Sequence, residues 1–375
     1  MDARREARLR AVWSALEGEG LSALVVAGKG VIGQYGALEW CTGYVPVVRG
    51  AYAVATPGDQ PALVLPTAAD AWYARRRAGL EDVRVAGQGD LLSEYDDLAS
   101  GVAAVLTERD AAAGRVGVVG LRHVVTTWEA ERLAAALPGV ELVDVSAAAA
   151  AVKAVKDDGD IEELAAAAAI ADAGFEAFLD ELAPGRSGWE LNAAIERAIR
   201  ARGARDTLIF VSGGAYFLER PTSDPIRTGD LVTVFVELVG PTGAWVELGR
   251  LVAVGALDDE RERLAEACLG AARAAEGSLV AGKVAGDPAR AIDAVAADAG
   301  LRVGIWHGHG VGIDHDPPVI TASDTTPLSR GMAIALHPNF STADERLGAS
   351  VADTYVVGDG PPRRFSRLDS GLYRA

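Results

Sequence analysis

Residues 306 to 318 read Trp306-His307-Gly308-His309-Gly310-Val311-Gly312-Ile313-Asp314-His315-Asp316-Pro317-Pro318. Three of the five histidines in the chain fall in this stretch. A fourth, His337, follows in Ala335-Leu336-His337-Pro338-Asn339, while His123 stands apart beside Arg122 and reads as an ordinary residue. Histidine is the side chain best suited to proton transfer near neutral pH and the commonest metal ligand. Glycines let backbone approach a ligand closely. Together they read as an active-site wall; the plainer alternative is a turn whose histidines are satisfied locally. The glycines do not make a phosphate loop, because the lysine and the strand–loop–helix spacing are missing.

Acidic residues stand upstream and downstream of this wall. Glu237 lies near the end of Val232-Thr233-Val234-Phe235-Val236-Glu237-Leu238, Glu247 lies in Trp245-Val246-Glu247-Leu248-Gly249-Arg250, and Asp353 lies in Val351-Ala352-Asp353-Thr354-Tyr355. A carboxylate inside an apolar strand is costly unless it is paired or functional. Strand alternation places Phe235 and Glu237 on one face. Any one of these could be a solvent-facing residue of an antiparallel sheet. Five polar groups in one pattern (Glu237, Glu247, His309, His337 and Asp353) point to a common site.

The rest of the chain supplies two domains. At 375 residues it exceeds one ordinary core. A net charge of −17 argues against nucleic acid and anionic membrane as partners. Cys41 and Cys268 are too few and too far apart for a disulfide framework, which with the absence of a leader-like apolar start predicts a cytoplasmic protein. Met1 to Arg10 reads as a charged helix. Strands are expected at 23–27, ended by Gly28, at 51–55 and 62–65 around the turn Pro57-Gly58-Asp59, and at 115–119 and 140–145. A helix is expected over 127–137. These make an α/β domain over residues 1–152. Residues 151–160, rich in charge, read as a linker. A second, α+β domain is expected over 160–375. It has helices at 161–182, 188–202 (capped by Ser187 and Glu190), 258–275 and 288–299. Its strands fall at 207–211, 230–238, 244–254, 331–336 and 350–357.

In this order the motifs resemble the creatinase / aminopeptidase P / methionine aminopeptidase family, with its pita-bread fold. Ser212-Gly213, Ser223-Asp224, Gly229-Asp230-Leu231-Val232, Gly308-His309-Gly310-Val311-Gly312, Arg330-Gly331-Met332 and Asp353-Thr354 fall in family order, and Cys41-Thr42-Gly43-Tyr44 is similar to the creatinase-type N-terminal domain. The resemblance implies a curved antiparallel sheet with helices on one side, preceded by a smaller α/β domain. It also implies a homodimer, in which Arg49 or Tyr44 would reach the partner's site.

Peptidases of this family bind two metals through Asp, Asp, His, Glu and Glu. Here Phe235 stands at the first position with Glu237 two residues on, Glu247 at the second, His309 at the third, His337 at the fourth, and Ala352 beside Asp353 at the fifth. A family histidine expected before Thr222-Ser223-Asp224 is replaced around Glu219-Arg220. Creatinase is the metal-free member, and Glu247-Leu248-Gly249-Arg250 is similar to its Glu-x-x-Arg strand. The expectation is therefore a divergent member without metal or other cofactor. It would hydrolyse a C–N bond (guanidino, amidino or amide) in a small cationic or zwitterionic substrate. His309 and His337 would be the acid–base pair, and Glu237 and Glu247 would bind the cation and tune the imidazoles. Glu219, Arg220, Asp353, Trp306, Phe235 and Phe217 would bind substrate, Arg220 by clamping a carboxylate, with Trp245 as a further wall. Asp353 would orient a histidine; His307 and His315 are expected to take less part, one of them only shaping the turn. Two alternatives remain: a metal-dependent Xaa-Pro-type aminopeptidase or dipeptidase with altered ligands, including a rebuilt mononuclear site, and an inactive binding module.

Overall fold

The computed structural model describes residues 2–87, 94–214 and 217–375, so the Met1 end of the helix expected over 1–10 lies outside them. The chain forms two compact units, Met1–Lys153 and Ala154–Ala375.

In the first unit the elements run α1 (Ala3–Ala15), β1 (Leu21–Lys29), α2 (Gly36–Thr42), β2 (Gly50–Ala55), β3 (Ala62–Leu65), α3 (Ala68–Arg77), β4 (Val83–Val85), α4 (Glu94–Glu108), β5 (Gly114–Val119), α5 (Thr127–Ala136) and β6 (Val140–Asp144). The strands form one six-stranded sheet in the order β4-β3-β2-β1-β5-β6. β1 is longer than its apolar run suggested and carries Gly28 inside it, against the Leu38 side chain of α2. Apolar residues of β1, β2, β3 and β5 pack with Leu98, Val102, Val105 and Leu106 of α4.

At the junction, residues 151–160 are mostly helical, so the charged run is no open linker. α6 (Ser146–Ala154) runs into it and α7 (Asp158–Glu181) starts within it. The charges have a local reason: the Asp157 carboxylate caps α7, accepting from Asp160 N at 2.7 Å, and Asp160 answers in a capping box.

The second unit continues with α8 (Gly188–Arg200), β7 (Asp206–Ser212), β8 (Leu231–Val239), β9 (Trp245–Ala253), α9 (Asp259–Glu276), α10 (Gly286–Ala299), β10 (Arg302–Val303), β11 (Gly308–Gly312) and β12 (Asp314–Val319). It closes with β13 (Ala333–Leu336), β14 (Asn339–Ser341), β15 (Gly348–Ser350), β16 (Asp353–Val356), β17 (Arg363–Arg364) and β18 (Tyr373–Arg374). Ser187 and Glu190 form the expected capping box, and α8 buries Leu191, Ala194, Ile195 and Ile199 on one stripe. Sheets of order β18-β9-β8-β7, β12-β11-β13-β16-β17 and β10-β14-β15 make up the rest. Leu264, Cys268 and Ile292 of α9 and α10 share a core with Ile334, Leu336 and Phe340. The mixed α+β expectation holds. The Gly308–Gly312 segment read as a turn is instead a strand, paired with β12 on one side and β13 on the other.

Two glycines allow close approaches of backbone here, Gly249 between sheets and Gly308 within one. Gly249 N donates to Ala352 O at 2.9 Å and Ala352 N to Gly249 O at 3.1 Å. A Cβ at Gly249 would lie 2.5 Å from Ala352 N, so only glycine permits the approach. Gly308 has φ 151°, and a Cβ there would lie 2.3 Å from Ala335 O. Among the described residues, no helix is long and apolar enough to cross a membrane.

Candidate active site

A cavity of about 280 Å³ opens where these sheets meet. Its polar lining is Glu237, Glu247, His309, His315, His337 and Ser350; Leu208, Phe210, Phe217, Leu218, Phe235, Ile305 and Trp306 supply the apolar wall. The strand pattern explains the gathering. β8 and β9 pair so that Glu237 lies directly opposite Glu247, and Phe235 opposite Gly249. Opposed residues of an antiparallel pair share a face, so both carboxylates point into one space. β11 pairs with β13 with His309 opposite Ala335, and His337 follows β13 with its N donating to His307 O at 2.8 Å. Thr354 ties β9 to β16: Glu247 N donates to Thr354 Oγ1 at 3.0 Å, and that hydroxyl donates to Glu247 O at 3.1 Å.

His309 Nε2 stands 3.0 Å from Glu247 Oε1, and its Nδ1 is 3.0 Å from Gly310 O. If Nδ1 donates to that carbonyl, Nε2 carries a lone pair in the neutral ring, oriented toward the cavity's acid. Glu247 Oε1 nonetheless lacks a properly aligned hydrogen bond although it is buried. The ligand atoms of Glu247, His309 and His337 lie within 4.8 Å of one another. The His309 ring meets those of His315 and His337 at centroid distances of 4.4 and 5.6 Å.

Electrostatics follow from burial and neighbours. Burial works against the Glu247 charge, but the His309 imidazole outweighs it and brings the carboxyl down to about 2. Burial likewise opposes a charge on His309, yet the Glu247 carboxylate raises it above 6.5. His337 is fully enclosed, and burial pulls it down to about 4 despite Glu247. Glu237, buried and facing Glu247, is pushed well above 4.5.

The structure thus brings together His309, His337, Glu247, Glu237, Phe235, Phe217 and Trp306. Four other expectations fail on geometry. Asp353 orients no histidine: Arg250 Nη2 donates to its Oδ1 at 2.9 Å and Arg364 Nη1 to its Oδ2 at 3.3 Å, away from the cavity lining. Glu219 and Arg220 do not line the cavity, because the chain returns along β7, Val211 N donating to Glu219 O at 3.3 Å, and leads Arg220 into solvent. Trp245 is wholly buried and packs on His315 at 4.6 Å instead of walling the cavity. His315, expected to take little part, lines the cavity. The Asp-x-Asp alternation of β12 was the signal: Asp314 and Asp316 point inward and His315 to the opposite side. Asp316 is spent on a buried pair with Lys156 Nζ at 2.6 Å, which pins the hairpin. His307 stands outside the cavity, its Nε2 2.8 Å from Asp293 Oδ1.

Residues 162–359 match the pattern of metallopeptidase family M24, and residues 8–155 that of the creatinase/prolidase N-terminal domain. The chain belongs to metallopeptidase family M24. Its fold is therefore the pita-bread fold behind a creatinase-type domain, and the expectation of a hydrolase acting on C–N bonds is met. An uncharacterized hydrolase/peptidase of Sinorhizobium fredii, y4tL, is 26% identical over 349 residues, 87% of each chain. The Xaa-Pro dipeptidase of Pyrococcus furiosus is 26% identical over 231 residues, 58% of this chain and 64% of that protein. The structure of dipeptidase PepE from Mycobacterium ulcerans has a TM-score of 0.82 at 25% identity, covering 99% of this chain and 98% of that one. An Xaa-Pro dipeptidase structure from Bacillus anthracis, TM-score 0.83 at 19% identity over 99% and 100% of the chains, speaks for the fold alone.

The expectation of a site without a cofactor is corrected here. M24 is a metallopeptidase family, and Glu247, His309 and His337 form a group able to hold a metal ion. The fit is good for one ion: a carboxylate and two imidazoles, an orphaned buried oxygen, and an open cavity beside them. It fails at the family's other ligand positions, where Phe210, Phe235 and Ala352 pack together as an apolar cluster.

Proposed function

We propose that this chain is a metal-dependent hydrolase of the amide C–N bond in a substrate of dipeptide size. The observation that carries the reading is the convergence of Glu247, His309 and His337 at the head of a small cavity. These three would hold one divalent ion, His309 and His337 as ligands and not as the acid–base pair first expected. Such an ion, when bound, supplies Lewis acidity toward a carbonyl and toward water. The chain's own residues do the rest. Leu208, Phe210, Phe217, Leu218, Ile305 and Trp306 give an apolar wall for a substrate side chain and keep water out. The cavity, about 280 Å³, is at the small end for ligand pockets and suits one or two residues better than a long peptide. Burial and the facing Glu247 push the Glu237 carboxyl well above 4.5, so it offers a point of proton or cation exchange opposite Glu247.

Xaa-Pro dipeptides and dipeptides with apolar residues are the substrates to assay. Stripping the protein with a chelator should abolish turnover, and manganese, cobalt or zinc should restore it. His337→Ala should remain folded and stay inactive after metal is returned. Full turnover by chelator-stripped protein, checked for residual metal by elemental mass spectrometry, would overturn the reading.

A further inference from the structure

We infer that the cavity has a second divalent-cation position, formed by Glu237, Glu247 and His315 and shifted from the place of the family's lost ligands. The inference rests on the metal-dependent reading above, since Glu247 belongs to both positions. The ligand atoms of Glu237, Glu247 and His315 lie within 4.8 Å of one another, as do those of the first group. Only modest side-chain adjustment would bring three such donors to the roughly 2.0–2.2 Å that oxygen and nitrogen ligands keep from a transition ion. A carboxylate shared by two groups is the bridge that two-metal hydrolases use.

Three further observations select this position. Glu237 and Glu247 face each other in register on β8 and β9, so two carboxyl groups share one face. No lysine or arginine is among the described residues that line the cavity. Two facing carboxyl groups can ionise together only with positive charge close by; the His309 imidazole stands beside Glu247, and a divalent ion would serve Glu237 as well. Glu247 Oε1 is also buried without an aligned hydrogen bond. Finally, the direction from Glu247 toward Phe235 and Ala352 is closed by apolar packing. Glu237 lies two residues along β8 from Phe235 and therefore on the same face, so the carboxylate lost at one position is regained one step along the strand. His315, on the edge strand β12, completes the group, its side chain 39% exposed and its ring against His309. Carboxylate with imidazole suits manganese, iron, cobalt or zinc.

Metal counting decides the matter without reference to activity. Full-length protein stripped of metal is dialysed to equilibrium against excess manganese(II), and bound manganese is read by elemental mass spectrometry and by electron paramagnetic resonance. Wild type should hold two ions with an exchange-coupled spectrum. Glu237→Gln and His315→Ala should each hold one, with an uncoupled spectrum and a cooperative thermal transition. One ion in wild type overturns the second position while the metal-dependent reading stands; the carboxylate pair would then serve a substrate ammonium. Two ions in both variants also overturn it. No ion in wild type overturns both readings.

Discussion

Loading the first ion at about pH 6 should release one proton, and that proton should come from His309. Ligands must be unprotonated to bind metal. Glu247 is already ionised at that pH, because His309 holds its carboxyl at about 2 against the effect of burial. His337 is already neutral, because burial pulls it to about 4. Only His309, raised above 6.5 by Glu247 against the effect of burial, still carries a proton to lose. The apparent affinity should therefore rise tenfold, about 1.4 kcal/mol, for each pH unit up to the raised value of His309, and level off above it. Below about 4 the slope should double as His337 also takes a proton. Glu237→Gln isolates the first ion; in wild type a second ion should displace a further proton from Glu237, whose burial beside Glu247 raises it well above 4.5. Isothermal titration in buffers of different ionisation enthalpy counts the protons directly. Affinity that does not change between about pH 5 and 6, or release of two protons by Glu237→Gln, would refute the assignment of charge states.

Two structural predictions concern the frame that holds the site. Lys156→Met removes the ammonium that pairs with the buried Asp316 carboxylate at 2.6 Å; loss of one partner of a buried pair should cost about 3–5 kcal/mol in urea unfolding, and a cost below about 1 kcal/mol would show the pair to be dispensable. Gly249→Ala places a methyl 2.5 Å from Ala352 N and 3.0 Å from Phe235 Cδ2; the strain should cost about 1–3 kcal/mol and, with Glu247 two residues away on the same strand, weaken manganese binding in the same protein, so unchanged binding and stability would contradict the close approach.

Much of the frame was legible in the chain. Caps with a local chemical signature, Ser187 with Glu190 above all, mark their helix to the residue. The strands expected at 230–238 and 244–254 are there as β8 and β9, and their pairing sets Glu237 against Glu247. Where reading failed, a nonlocal partner decided. β11 is rich in glycine and poor in β-formers, and it is a strand only because β12 and β13 flank it. Asp353 looked like a site residue because an acid in an apolar strand needs a reason; its reason is Arg250 and Arg364, which lie 103 and 11 residues away in sequence. The length of the 217–220 return could not be counted from residue types, so Arg220 was placed in a cavity that it does not line.

The departures at Phe235 and Ala352 look like separate losses in the sequence, and the structure makes them one change. A Phe235 ring can occupy that face only if its neighbours are small: Gly249 lies opposite it, and Ala352 packs with it and Phe210. A glutamate at 352 would have to bury its carboxylate against two aromatic rings, and an aspartate at 235 would leave the space that the ring fills. Either change alone therefore carries a penalty that only the ion could offset, and the apolar pair removes both the ligands and the need for them. What it leaves intact is the strand face two residues further on, where Glu237 keeps a carboxylate opposite Glu247. A site that had merely decayed would have no use for an acid beside three histidines lining the same cavity. The place of Glu237 in register opposite Glu247, with no lysine or arginine among the described lining residues, is what the proposed displaced metal position explains and a lost one does not.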